Sequence, residues 1–92
     1  MSASDVQDSG ASSCSATIGR FDAERSRWRV VVEARLDQEC YQGRLIFQRV
    51  DPGNVESRVS APMLTGRTPE EVVSAAHELP EKRVRAVLHS LI

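Results

Sequence analysis

Hydrophobic and polar residues alternate with a period of two in two neighbouring segments of the chain. The apolar positions of the first segment share one phase: Trp28, Val30, Val32, Ala34 and Leu36. The second segment repeats the pattern with Tyr41, Gly43, Leu45 and Phe47. Alternation that is rich in β-branched and aromatic residues is typical of strands with one buried face. We therefore predict strands at about 27–36 and 41–50.

The two segments fit together as an antiparallel hairpin with a polar turn at 37–40. Such a turn pairs three sets of apolar residues across the strands: Leu36 with Tyr41, Val32 with Leu45, and Val30 with Phe47. All the apolar side chains then share one face, as a sheet with one buried side requires. The same register places Glu33 opposite Arg44 on the other face, a pair that contributes about 0.2–1 kcal/mol.

A third strand is predicted at about 55–64, after the turn sequence Asp51-Pro52-Gly53-Asn54. We expect Val59 to lie opposite Phe47 on the buried face, which requires a loop with an odd number of residues or a bulge. Pro62 cannot donate a hydrogen bond to a neighbouring strand, so it indicates that this strand lies at an edge of the sheet.

Two helices are predicted after the third strand, at about 69–79 and 80–91. Thr68 is placed to cap the first helix, with Pro69 at its first position. The carboxylate of Glu71 is expected to accept a hydrogen bond from the N–H of Thr68, which completes a capping box. Pro80 separates the two apolar stripes, and the alternative is a single helix with a kink at this residue.

The order β-β-β-α-α predicts an α+β domain at 16–92, a three-stranded antiparallel meander with both helices packed on one face. Residues 1–15 are mostly Ser, Ala, Gly and Asp, so we expect a disordered tail. Ile18 and Phe21 are out of phase for one strand. Residues 16–22 are therefore interpreted either as a short edge strand or as an ordered lead-in.

The charge distribution does not suggest a dedicated nucleic-acid binder. All 12 basic residues lie at 20–92 together with 11 of the 13 acidic residues, which gives this part a net charge of +1. Two cysteines, Cys14 and Cys40, are too few to staple a secreted domain, and free thiols in a reducing compartment are expected. No apolar run approaches the ~18 residues of a membrane span, and a signal-peptide pattern is missing. A cytoplasmic location is the expectation.

The residues that could carry chemistry do not form a recognised pattern. Glu70 and Glu71 are neighbours on a helix and point about 100° apart, so their carboxylates do not converge. His77 and His89 lack the spacing of zinc ligands, and no phosphate-binding or cofactor motif occurs. A nucleophilic Cys40 paired with His77 is the enzymatic alternative. We otherwise expect a non-enzymatic domain without a metal, a cofactor or an evident small-molecule ligand.

The outer face of the predicted sheet is the candidate interaction surface. Its expected members are Arg27, Arg29, Val31, Arg35, Arg44, Ile46 and Arg58. Val31 and Ile46 form an apolar spot surrounded by polar residues, which resembles an interface core with its rim, although a solvated face would have a similar pattern.

A basic sheet that binds RNA uses exposed aromatic side chains for base stacking. Trp28, Tyr41 and Phe47 are all predicted to face inward, which weakens a nucleic-acid function. We therefore predict a small domain that acts through protein contacts, including self-association as a homodimer. A nucleic-acid-associated regulator that uses the arginine-bearing face is the alternative.

Overall fold

An antiparallel sheet with two helices on one face forms the computed structural model, which describes residues 13–23, 25–50 and 56–92. The elements in chain order are β1 (Ser13–Ala23), β2 (Ser26–Asp37), β3 (Cys40–Arg49), β4 (Glu56–Val59), β5 (Leu64–Gly66), α1 (Pro69–His77) and α2 (Glu81–Leu91). The strand order is β1-β2-β3-β4, and β5 also pairs with β3. The α+β class is confirmed, whereas the predicted number of three strands is wrong because the described residues alone form five strands.

Strand β1 accounts for one of the additional strands. It has 11 residues and includes residues 13–15, which were expected in the tail but pair with β2. The register shifts between Thr17 and Gly19, and this bulge explains why Ile18 and Phe21 are out of phase in the sequence. The remainder of the predicted tail, residues 1–12, lies outside the described residues.

The hairpin of β2 and β3 has the predicted register. Val30 pairs with Phe47, Val32 with Leu45, and Leu36 with Tyr41, as the alternation requires. On the opposite face, Arg44 Nε donates a hydrogen bond to Glu33 Oε1 at 2.7 Å. The apolar pattern and the charge pair identified the same register independently.

The predicted register of the third strand is wrong. Phe47 pairs with Arg58, and Val59 pairs with Ile46 on the outer face, where 44% of its surface is exposed. The prediction assumed that the apolar residues of this strand face inward, but the buried position here is taken by Ser60. The turn at 51–54 lies outside the described residues.

Ser60 explains why the third strand is divided into β4 and β5. Its N–H donates to the carbonyl of Leu45, and its Oγ accepts a hydrogen bond from the N–H of Leu45, both at 2.9 Å. Met63 resumes the pairing by donating its N–H to Gly43 O at 2.9 Å. The chain between them contains Pro62, in agreement with the prediction that this strand is an edge.

Two separate helices are present, as preferred over a kinked one, although the predicted boundaries at 79 and 80 are shifted. Thr68 Oγ1 accepts the N–H of Glu71 at 3.1 Å, which confirms the cap. The carboxylate of Glu71 accepts the N–H of Arg67 at 2.8 Å rather than that of Thr68. Pro80 lacks an N–H for continuing α1 and is instead the N-cap of α2, where its carbonyl accepts the N–H of Val84 at 3.1 Å.

The core lies between the sheet and the helices. Its members include Trp28, Val30, Val32, Leu45, Phe47, Val72, Ala76, Val84 and Leu88. Trp28 faces inward as predicted, with 2% of its surface exposed, and its Nε1 donates to Ala23 O at 3.1 Å. A Cβ on Gly43 would overlap Val72 Cγ1, so this glycine allows α1 to pack closely on β3.

Candidate interaction surfaces

A row of apolar side chains crosses the outer face of the sheet. Val31 on β2 pairs with Ile46 on β3, which pairs in turn with Val59 on β4. Both helices pack on the other face, so no described helix covers this row. We call these three residues the outer row. It is longer than the predicted pair of Val31 and Ile46 because of the unexpected register of β4.

Most of the predicted surface arginines lie on the outer face. The register places Arg27, Arg29, Arg35 and Arg44 there with the outer row. Arg58 is the exception and corrects the prediction, because it pairs with Phe47 and therefore lies on the helix side. On that side Arg58 forms an ion pair with Glu56, whose carboxylate also lies 3.0 Å from Arg49 Nη1.

Several charged side chains on the outer face are held by neighbours. Arg29 Nε donates to Gln48 Oε1 at 2.9 Å, and the Arg44–Glu33 pair lies on the other side of the outer row. The outward positions of β1–β3 contain five arginines and three carboxylates, which gives a net charge of +2. The arginines are Arg20, Arg27, Arg29, Arg35 and Arg44, and the carboxylates are Asp22, Glu33 and Asp37. The whole chain, by contrast, has a net charge of −1.

A shallow depression lies near the turn between β2 and β3. It has a volume of about 220 Å³, and its polar lining includes Glu33, Arg35, Asp37, Gln42 and Arg44. Two arginines and two carboxylates balance one another here, and Arg44 is already paired with Glu33. The depression therefore extends the outer face with polar groups but adds no net charge to it.

A second surface follows β1 at the opposite edge of the sheet from β4 and β5. No strand in the described ranges pairs with the outer edge of β1. A cleft of about 220 Å³ lies between this strand and the junction of the two helices. Apolar lining comes from Ile18, Phe21, Val30, Leu79 and Val84, with the exposed Arg20, His77 and Glu81 at the rim.

Arg85 connects α2 to β1 next to this cleft. Its guanidinium lies 4.9 Å from the centre of the Phe21 ring, a cation–π contact worth about 0.5–1 kcal/mol. Nη1 donates to the carbonyl of Asp22 at 2.6 Å, and Nη2 contacts Glu81 Oε2 at 2.7 Å. Phe21 in turn meets Phe47 edge to face, with ring centres 6.3 Å apart. These contacts hold α2 against β1 beside the cleft and connect β1 to the core through Phe47.

The residues considered for chemistry are not brought together. Cys40 pairs with Asp37 at the hairpin turn, whereas His77 lines the cleft beside Val30. Val30 pairs with Phe47, seven residues from Cys40 along β3, which is roughly 23 Å at 3.3 Å per residue. The alternative of a Cys40–His77 nucleophile is therefore not supported by the geometry.

Both cysteines are exposed free thiols. Partial burial raises the pKa of the Cys14 thiol, and the negative charge of Glu70 raises it further. A raised pKa lowers the fraction of thiolate, which is the nucleophilic form. In the part of the chain that the structure describes, no three His, Cys, Asp or Glu side chains are grouped for metal binding, and no helix is long and apolar enough to cross a membrane.

No family model, curated protein or solved structure matches this chain. No relative therefore supplies a function for either surface. The sequence indicated part of the outer row, but it did not indicate the cleft or the exposed position of Val59. The spacing of three between Ile18 and Phe21 was a signal of the bulge, since an extra residue changes the phase of a strand.

Proposed function

We propose that this protein is a non-enzymatic interaction domain whose outer sheet face binds an acidic surface of a partner protein. The observation that carries the proposal is the outer row, Val31, Ile46 and Val59, which no described helix covers. An apolar centre with polar groups around it is the usual arrangement of a protein interface, and arginine is enriched in such interfaces. The outer row supplies the centre, and the neighbouring arginines supply the rim.

The charge of the face favours an acidic partner. Its net charge of +2 attracts carboxylates, and the hydrogen bonds to Gln48 and Glu33 hold Arg29 and Arg44 in place beside the outer row. Side chains that are already ordered lose less entropy on binding. Two copies of this face would oppose the same net charge, so the proposed partner is a different protein rather than a second copy.

Association with nucleic acid is the second candidate, because five arginines lie on the face. The aromatic residues argue against it. Trp28 and Phe47 are buried, Tyr41 packs against the core, and no aromatic side chain occupies an outward position in the described strands. Base stacking on a sheet requires such side chains, so a protein partner explains the face better.

The test uses affinity capture from the native organism with the wild-type protein and two variants. Val59→Glu introduces a negative charge into the outer row at a residue with 44% of its surface exposed. Ile92→Glu is the matched control, since it makes the same change at a residue with 48% exposure outside the sheet. Each capture is run with and without nuclease, and light scattering measures self-association.

Support requires a protein that is captured by the wild type and by Ile92→Glu, is lost with Val59→Glu and persists after nuclease treatment. The partner's contact surface should be acidic, and its binding should weaken as salt increases. Equal capture by Val59→Glu would remove the outer face from the proposal. Capture that disappears with nuclease would favour the nucleic-acid candidate, and a dimer that dissociates in Val59→Glu would show self-association instead.

A further inference from the structure

We propose a second binding site, separate from the outer row, at the cleft beside Gly19. It takes an extended peptide segment of a partner protein, whose backbone pairs with the open edge of β1. One apolar side chain of the segment fills the cleft, and the acidic residue next to it, which points to the opposite face of the sheet as in any strand, contacts Arg20. The proposal does not depend on a partner at the outer row.

Gly19 is a glycine that close packing against the helices does not require. Its backbone is not in the left-handed region, and a Cβ built on it would have no neighbouring atom within 4 Å. Gly43 and Gly66 differ, because a Cβ on either would overlap α1. A glycine within a strand costs about 0.5–1 kcal/mol relative to alanine, and it often marks a bulge, as at Gly19, or the close approach of a ligand or another backbone.

The edge of β1 supplies the backbone groups that such a segment would use. An edge that no described strand covers presents alternating N–H and C=O groups, and peptides bind to edges of this kind as an additional strand. Helix α1 lies beside the strand, since Glu70 acts on Cys14 near its start and His77 lines the cleft near its end. An added strand would therefore direct alternate side chains towards the helices.

The size of the cleft selects one side chain rather than a large ligand. Its volume of about 220 Å³ exceeds the ~150 Å³ of a cavity that holds benzene. It is smaller than the ~300–1,000 Å³ of sites for drug-sized molecules. The register shift between Thr17 and Gly19 lies at the cleft, and bulges frequently occur next to binding sites.

The charges at the rim determine the neighbouring residue of the segment. Glu81 is engaged by Arg85, whereas Arg20 is exposed and has no ion pair with any residue that the structure describes. His77 adds an imidazole group to the rim. An acidic side chain next to the apolar anchor is complementary to this arrangement, and a guanidinium binds a carboxylate with two parallel hydrogen bonds.

The experiment selects ligands from a phage-displayed library of random linear peptides with the full chain as bait. Enriched sequences are made as fluorescent peptides and titrated against the wild type, Gly19→Leu and Arg20→Glu. Gly19→Leu fills the cleft without an overlap at Cβ, and Arg20→Glu reverses the rim charge. Ser15→Leu is the control, because Ser15 is exposed on β1 but pairs with Glu33 and therefore lies on the outer face.

We expect enriched peptides to contain an apolar residue next to Asp or Glu. Gly19→Leu should weaken binding by about tenfold or more, as the loss of a central contact does, and Ser15→Leu should leave it unchanged. Arg20→Glu should weaken it by a smaller factor. Val59→Glu should retain peptide binding, which distinguishes this site from the outer row. If Gly19→Leu fails to fold, Arg20→Glu provides the test.

Three results would overturn the proposal. The first is a selection without enrichment, or peptides that bind Gly19→Leu as well as the wild type. The second is a wild-type dimer that Gly19→Leu converts to a monomer, since a second copy would then occupy the edge. The third is binding of benzoate or octanoate at the cleft without binding of any peptide, which would indicate a site for a free small acid.

Discussion

The two edges of the sheet are built in opposite ways. The edge formed by β4 and β5 consists of strands of four and three residues, with Pro62 in the gap between them. β1 at the other edge is 11 residues long and is interrupted by a single bulge. Short strands and proline are the means by which proteins prevent unwanted strand pairing. Among the strands that the structure describes, the β1 edge is therefore the one better suited to an additional strand.

The glycines of the sheet show a related contrast. Gly43 and Gly66 lie where α1 packs closely, and a side chain at either would overlap residues of that helix. Gly19 has open space at the corresponding position. Gly43 and Gly66 thus allow the close packing of α1, whereas Gly19 faces a cleft.

The largest expected effect compares Gly43→Ala with Gly19→Ala. Gly43→Ala should lower the free energy of unfolding by about 1–3 kcal/mol, because the new methyl group overlaps Val72 and the core is overpacked. Gly19→Ala should leave stability unchanged or raise it by about 0.5–1 kcal/mol. Urea denaturation measures both through the midpoint at a constant m-value. A similar loss in the two variants would contradict the difference between the edges.

A second prediction concerns Ser60, whose side chain completes hydrogen bonding where β4 ends. Ser60→Ala leaves the N–H of the buried Leu45 without its partner, so we expect a loss of about 1–3 kcal/mol. Hydrogen exchange at the Leu45 amide should accelerate. Ser57→Ala, at an exposed position of β4, is the control and should change stability by less than about 0.5 kcal/mol. Equal changes in the free energy of unfolding for Ser60→Ala and Ser57→Ala would show that the hydrogen bond of Ser60 does not stabilise this edge.

The smallest effect is expected at Cys14 on the open edge. The raised pKa of its thiol means that reaction with a disulfide reagent should require higher pH. Glu70→Gln removes the charge that contributes to this shift, so the pKa should fall and the rate should rise at a lower pH. The assay uses a Cys40→Ser background, with Glu78→Gln as the control. An unchanged pH profile in Glu70→Gln would place Glu70 away from β1.

The hairpin of β2 and β3 could be predicted because its determinants are local. The alternation of apolar residues sets the faces, and Glu33 and Arg44 confirm the register. The capping by Thr68 was also local and was found, although the carboxylate of Glu71 accepts from Arg67 instead. Patterns within one hairpin and within one helical turn therefore identified these parts of the fold.

The predictions were wrong where a single residue interrupts the alternation of a strand. The bulge in β1 hides an 11-residue strand from a pattern of period two. At the end of β4, the N–H of Leu45 donates to the side chain of Ser60, and the sequence pattern does not reveal this contact. The register of β4 then placed Val59 outside rather than inside. The cleft could not be predicted, because β1 contributes residues that lie about 60 positions before those of α1 and α2.

The contact of Arg85 with Asp22 has a consequence for how the protein is made. The two residues are 63 positions apart, so at about 5–20 residues per second the second is synthesised about 3–13 s after the first. Hairpins form within about 1–10 μs, so β1 can pair with β2 long before α2 exists. Until α2 has been synthesised, the guanidinium of Arg85 does not cover the Phe21 ring, which stays accessible to chaperones and to other nascent chains. The first described strand is thus secured by the last helix, and a prematurely terminated chain would carry an unprotected aromatic edge.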